Sequence, residues 1–72
     1  MVEYVTVTFP KTRQVLIDGQ HSGVTNQILQ VQTGTHVFAL AGAQNFTPAS
    51  RRVEVVNTSS IIPLEVPFEK VS

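Results

Sequence analysis

Hydrophobic and polar positions alternate with period two from position 4 to 9: Val5, Val7 and Phe9 share one face, and Tyr4, Thr6 and Thr8 share the other. β-branched residues in that rhythm predict a strand with one buried side. Pro10 ends it, and Lys11-Thr12-Arg13 reads as a polar turn. A second strand over 13–18 turns Val15 and Ile17 inward. Asp18-Gly19 comes next, between alternating segments. Such a pair is a strong hairpin signal, because a type I′ turn needs positive φ at both central residues. The chain returns through 20–24 as a short, mostly polar strand, in which Gly23 marks a bulge or a close backbone approach.

The alternation resumes over 26–32, with Leu29 and Val31 on one face and Gln30 and Gln32 on the other. Thr33-Gly34 is a turn. Over 35–41, His36, Phe38 and Leu40 share one parity, while Val37, Ala39 and Ala41 give the other an apolar character as well. Positions 42–50 form the longest irregular stretch, and Phe46, its one large apolar residue, is expected to plug the end of the core. Positions 51–57 put Val53 and Val55 inward and Arg52 and Glu54 outward, and Thr58-Ser59-Ser60 turns the chain again. The last strand, 61–69, sets Ile62, Leu64, Val66 and Phe68 against Pro63, Glu65, Pro67 and Glu69. Residues two apart point their backbone N–H groups to the same side, so Pro63 and Pro67 remove two donors from a single flank, and this strand is expected at a sheet edge with that flank unpaired. Proline and glutamate there also discourage strand-to-strand aggregation.

No segment carries the i, i+3, i+4 spacing of a helix. Short strands separated by turn signals predict an all-β fold. The expectation is a small antiparallel or mixed two-sheet β-sandwich of about six or seven strands, with 1–72 as one domain. Seventy-two residues without cysteine leave no disulfide to reinforce a thin core, and no Cys/His pattern offers a structural zinc. Docking to neighbouring domains or to a second copy would help. Five basic and five acidic residues, without long runs, argue against a nucleic-acid binder, which needs a basic stripe to displace counterions. The first residues lack the basic and apolar regions of a signal peptide, and no apolar run approaches the roughly 18 residues of a membrane-spanning helix. A short cytoplasmic protein and a domain cut from a longer, exported chain both fit.

The order of features in Val15-Leu16-Ile17-Asp18-Gly19, Gly23-Val24-Thr25, Gly34-Thr35-His36, the aromatic loop residue Phe46 and a Val-rich terminal pair of strands resembles a PEGA domain over nearly the whole chain. That family is similar to the transthyretin-like and carboxypeptidase-regulatory-like small β-sandwiches. Some positions depart from its pattern. Only Pro10 of Pro10-Lys11-Thr12-Arg13 agrees with the naming tetrapeptide, Thr25-Asn26 stands where Thr-Pro is usual, and Asn45-Phe46 where Gly-Tyr is common. The resemblance implies a non-catalytic accessory module of bacterial or archaeal proteins, often extracytoplasmic, whose partner is a protein or a cell-envelope component. It brings no catalytic residues with it.

The candidate chemistry is sparse. His21, His36 and Asp18 are the only plausible metal-ligand set, yet Asp18 serves the turn and His36 has inward parity. A structural histidine bonded to a backbone carbonyl near the sandwich edge is the expected role of His36, and no metal or cofactor is expected. Ser22, Ser50, Ser59 and Ser60 lie in turn-like contexts without a nucleophile elbow. Glu54, Glu65 and Glu69 point outward as solvated charges rather than as a glycosidase pair. Arg51-Arg52 with Lys11 and Arg13 make a small basic patch of low charge density. Asn57-Thr58-Ser59 and Asn45-Phe46-Thr47 match the glycosylation pattern by letter. Tyr4 and Val56 face outward and could seed a contact patch. Two functional classes follow: a protein-interaction or spacer module, not an enzyme, and alternatively a carbohydrate-binding module. The second is weakened by the lack of tryptophan and the expected burial of at least three of the four phenylalanines.

Overall fold

The computed structural model describes residues 1–71. It is all-β. Strands β1 (Val2–Thr8), β4 (Ile28–Gln32) and β8 (Leu64–Pro67) form one sheet in the order β4-β1-β8. Strands β2 (Gln14–Ile17), β3 (Gln20–Val24), β5 (Gly34–Leu40) and β7 (Arg51–Val55) form a second in the order β3-β2-β5-β7. Seven strands in two sheets match the sandwich expected from the alternation. A third element was not anticipated: within the stretch read as irregular, β6 (Phe46–Thr47) pairs antiparallel with β9 (Glu69–Lys70). The first sheet is mixed, because β1 runs antiparallel to β4 and parallel to β8, whereas the second is antiparallel throughout.

Both sheets turn their aliphatic parity into one core. Val5, Val7, Val15, Phe38 and Val55 are fully buried, and Phe9, Ile17, Leu29, Val31, Leu40, Phe46, Val66 and Phe68 join them. Val53 and Leu64 pack against this cluster from its rim. In β5 the buried parity is Phe38 and Leu40, while Val37 stays exposed. At one end, Phe46 stands edge-on between Phe9 and Phe68, with ring centroids 6.4 and 5.8 Å away and interplanar angles of 88° and 84°. That geometry aligns positive ring edges with negative ring faces. Phe46 therefore closes the core as its isolation in the loop implied.

One inward assignment is overturned. Ile62 is 76% exposed and Ile61 88% exposed, because the last strand begins only at Leu64. Upstream of it, Ser59 N–H donates to the Ile62 carbonyl and Ile62 N–H donates to Ser59 Oγ, which folds 59–62 into a turn that lifts both isoleucines off the sheet. The edge assignment of this strand holds. Phe68 N–H donates to the Thr8 carbonyl at 2.9 Å, so the even-numbered amides of β8 face β1. Pro63 and Pro67 face away from it, on the flank without a neighbouring strand.

The hairpin at Asp18-Gly19 has φ of 54° and 83°, as its turn type demands. In β3 the register with β2 shifts between Val15 and Leu16, so a bulge sits beside Gly23. Gly23 has a φ of +152°, and a Cβ there would run into the Leu29 side chain. Bulge and close approach, read as alternatives in the sequence, occur together.

Candidate functional site

The sequence brought forward Asp18, His36 and His21, and the structure joins only the first two. His36 Nδ1 lies 2.7 Å from Asp18 Oδ2, and His36 Nε2 lies 2.7 Å from the Gln32 carbonyl oxygen. Both partners are acceptors, so both ring nitrogens must donate, which only the imidazolium can do. The Asp18 carboxylate, followed by the Gln32 carbonyl, raises the His36 pKa above its ordinary value. Asp18 is itself fastened. Its Oδ1 accepts the Val37 N–H at 2.9 Å, and its own N–H donates to the Val37 carbonyl at 2.8 Å. The Val37 amide and then His36 hold its carboxyl below the usual range. His36 thus ties the β2–β3 turn of one sheet to the end of β4 in the other, near the sandwich edge. His21 stands apart, on Gln14 Oε1.

A carboxylate that the alternation did not single out is the more deeply placed one. Glu3 is 5% exposed. Its Oε2 accepts the Thr33 hydroxyl at 2.6 Å, and its Oε1 accepts the Thr58 hydroxyl at 2.7 Å and the Thr58 amide at 2.9 Å. These donors, Thr33 first, pull its pKa down to about 2. The signal was present: Glu3 has the odd parity of Val5 and Val7, so extending β1 by two residues puts it on the core side. An open groove of about 720 Å³ lies here, lined by Met1, Val2, Glu3, Thr33, Glu54, Val56, Asn57 and Thr58. Its floor carboxylate is committed to the loops that carry Thr33 and Thr58.

Arg13, read as one member of a basic patch, is spent in the same manner. Its Nε donates to the Ala41 carbonyl at 3.1 Å, Nη1 to Asn45 Oδ1 at 2.7 Å, and Nη2 to the carbonyls of Ala41 and Ala43. The guanidinium carbon sits 5.7 Å from the Phe9 ring centroid and 5.5 Å from that of Phe46. Arg51 Nε donates to the Pro67 carbonyl at 2.6 Å. The four basic residues therefore do not converge: two bind backbone carbonyls, while Lys11 and Arg52 are exposed.

The remaining candidates are dispersed. Ser22 Oγ donates to the Gln20 carbonyl, Ser59 Oγ accepts the Ile62 amide, and Ser50 and Ser60 are exposed. Glu54, Glu65 and Glu69 are exposed as expected of solvated charges. All four phenylalanines are buried, Tyr4 is half-buried and Val56 is exposed. Among the described residues no group of three His, Cys, Asp or Glu side chains comes close enough to hold a metal ion, and no helix is long and apolar enough to cross a membrane. Compared with protein-family models, curated proteins and solved structures, the chain matches none of them.

Proposed function

We propose that this domain is a non-catalytic accessory module of PEGA type, which mediates protein or cell-surface contacts or holds neighbouring segments apart. One observation carries the reading: the side chains best suited to chemistry are occupied in fastening backbone. His36 and Asp18 bind the Gln32 carbonyl and the Val37 amide, Glu3 binds Thr33 and Thr58, and Arg13 binds Ala41 and Ala43. A general acid, base or ligand must have a free valence toward substrate or metal, and these groups have given theirs to turns. The PEGA part of the reading rests on the sequence resemblance alone, among whose residues Asp18 and Gly19 form the hairpin, Gly23 the close approach and Phe46 the core plug.

A zinc titration followed by NMR tests the reading. The resonances of His21 and His36 are expected to stay in place, and saturable movement of the His36 ring would overturn it. A carbohydrate-binding role rests on Tyr4, which lies opposite Gln30 on the outer side of β1. In a titration with a glycan panel, shifts clustered around Tyr4 or the 42–50 loop would favour that role over the first.

A further inference from the structure

The sandwich has four sheet edges, and three of them are blunted. Strand β8 turns Pro67 to its open flank with Pro63 just before it, β3 is bulged beside Gly23, and β7 carries Arg51, Arg52 and Glu54 within five residues. Strand β4, Ile28-Leu29-Gln30-Val31-Gln32, has no charge, proline, glycine or register shift.

Its open flank can be identified. Thr33 N–H donates to the Met1 carbonyl at 2.8 Å, and the ladder with β1 pairs Val31 with Glu3 and Leu29 with Val5. Odd-numbered residues of β4 therefore direct their backbone groups to β1, and Ile28, Gln30 and Gln32 direct theirs outward. The Gln32 carbonyl accepts His36 Nε2 from that outer side, as the assignment requires. The outward groups of Ile28 and Gln30 meet no partner among the described residues.

We propose that β4 is a self-association edge, where a second copy of this chain adds its own β4 antiparallel across a two-fold axis through Gln30. The strand is self-complementary in that register. Gln30 meets Gln30 of the second copy and exchanges both backbone bonds with it, while Ile28 comes opposite Gln32, whose carbonyl stays with His36, so the Gln30 pair carries the contact. No step of the ladder opposes like charges. On the core side, Leu29 comes opposite Val31 of the other copy, and both side chains are at the rim, each 8% exposed. The pairing thereby lengthens a core that 72 residues leave thin. It is also closed. The joined sheet ends in β8 at both sides, where the prolines prevent a third chain from adding. A five-residue edge buries well under ~1,000 Å², so the dimer is weak and concentration-dependent.

Sedimentation equilibrium and amide NMR of the full chain up to roughly millimolar concentration test this, a range set by the small contact area. The mean mass is expected to rise above the 7.9 kDa monomer, with shifts confined to the amides of Ile28, Gln30 and Gln32 and their neighbours. Gln30→Lys sets two like charges face to face on the axis. Gln30→Pro removes a donor from the open flank without touching the bonds to β1. Each is expected to weaken association by about tenfold or more, the equivalent of one lost favourable contact. Gln30→Lys, at an exposed position, keeps the test intact should the proline variant not fold. A monomer throughout the range, shifts on β3 or β7, or a dimer indifferent to Gln30→Lys would overturn the proposal.

Discussion

Among the described residues Thr25 is the one buried neutral polar side chain, at 1% exposure, and its hydroxyl does two jobs. It accepts the Arg13 amide at 2.9 Å and donates to the Lys11 carbonyl at 2.8 Å. Thr25→Val keeps the shape and strands both backbone groups. A loss of roughly 2–4 kcal/mol is expected from the typical cost of unmade buried bonds. Thr25→Ser should recover most of it, and denaturant melts of the two variants check the difference. Beside it Asn26, at φ 64°, takes over strand pairing with its side chain: Oδ1 accepts Phe9 N–H and Nδ2 donates to the Phe9 carbonyl. A proline, usual here in the resembled family, could neither adopt that φ nor make those bonds. Glu3 gives a second test at this scale. Its carboxyl titrates near 2, well below its ordinary 4.5, so it contributes stability that is present above 4.5 and lost as pH falls toward 2. Glu3→Gln is expected to lower the melting temperature at neutral pH and to flatten the acid limb of the pH profile. An unchanged acid limb would assign that limb to other carboxylates.

At the scale of elements, alternation located β1, β2, β4, β5 and β7 because each has one wet and one dry side, and a side-chain period of two records that difference directly. It failed at Ile62. The same parity continues upstream of Leu64, but periodicity cannot register where a ladder stops and a side-chain-closed turn begins. It also passed over Glu3 and Arg13, which extend the inward parities of Val5 and Val15. Their placement depends on distant partners, Thr58 for one and Ala41 for the other, and no local pattern contains those. The His36 knot was half legible: the carbonyl bond follows from inward parity near an edge, whereas the Asp18 partner follows only from the register of β2 against β5. Glycine positions separate two kinds of constraint. A Cβ at Gly19 meets nothing within 4 Å, so Gly19→Ala costs only its backbone conformation, about 1 kcal/mol. Gly23→Ala adds a collision with Leu29, and overpacking raises the expected loss by a further ~1–3 kcal/mol. Thermal melts in which both substitutions cost the same would show that Leu29 yields freely.

For the molecule as a whole, the imidazole and the two carboxylates act at opposite ends of the pH range. His36 has a folded pKa raised above 6.5, so its contribution is complete below 6.5 and disappears as pH climbs through the raised value. Asp18 and Glu3 have lowered values, so theirs is complete above 3.8 and 4.5 and disappears on acidification. Stability is therefore expected to be flat from about 4.5 to 6.5 and to fall on both sides. In His36→Gln the alkaline decline should vanish while the acid one persists. Melting temperatures measured from pH 2 to 9 read both limbs, a span set by the ordinary carboxylate and imidazole ranges.

The parallel ladder between β1 and β8 joins Val5 to Leu64 and Thr8 to Pro67, nearly the full span of the domain. Such distant pairing is reached slowly, because most of the loop entropy is surrendered before any contact rewards it. During synthesis, the three-stranded layer has to wait for its last member to leave the ribosome. Until then one flank of Val2–Thr8 is bare, and a nascent chain stalled before Leu64 would be a good client for a chaperone that grips extended apolar segments.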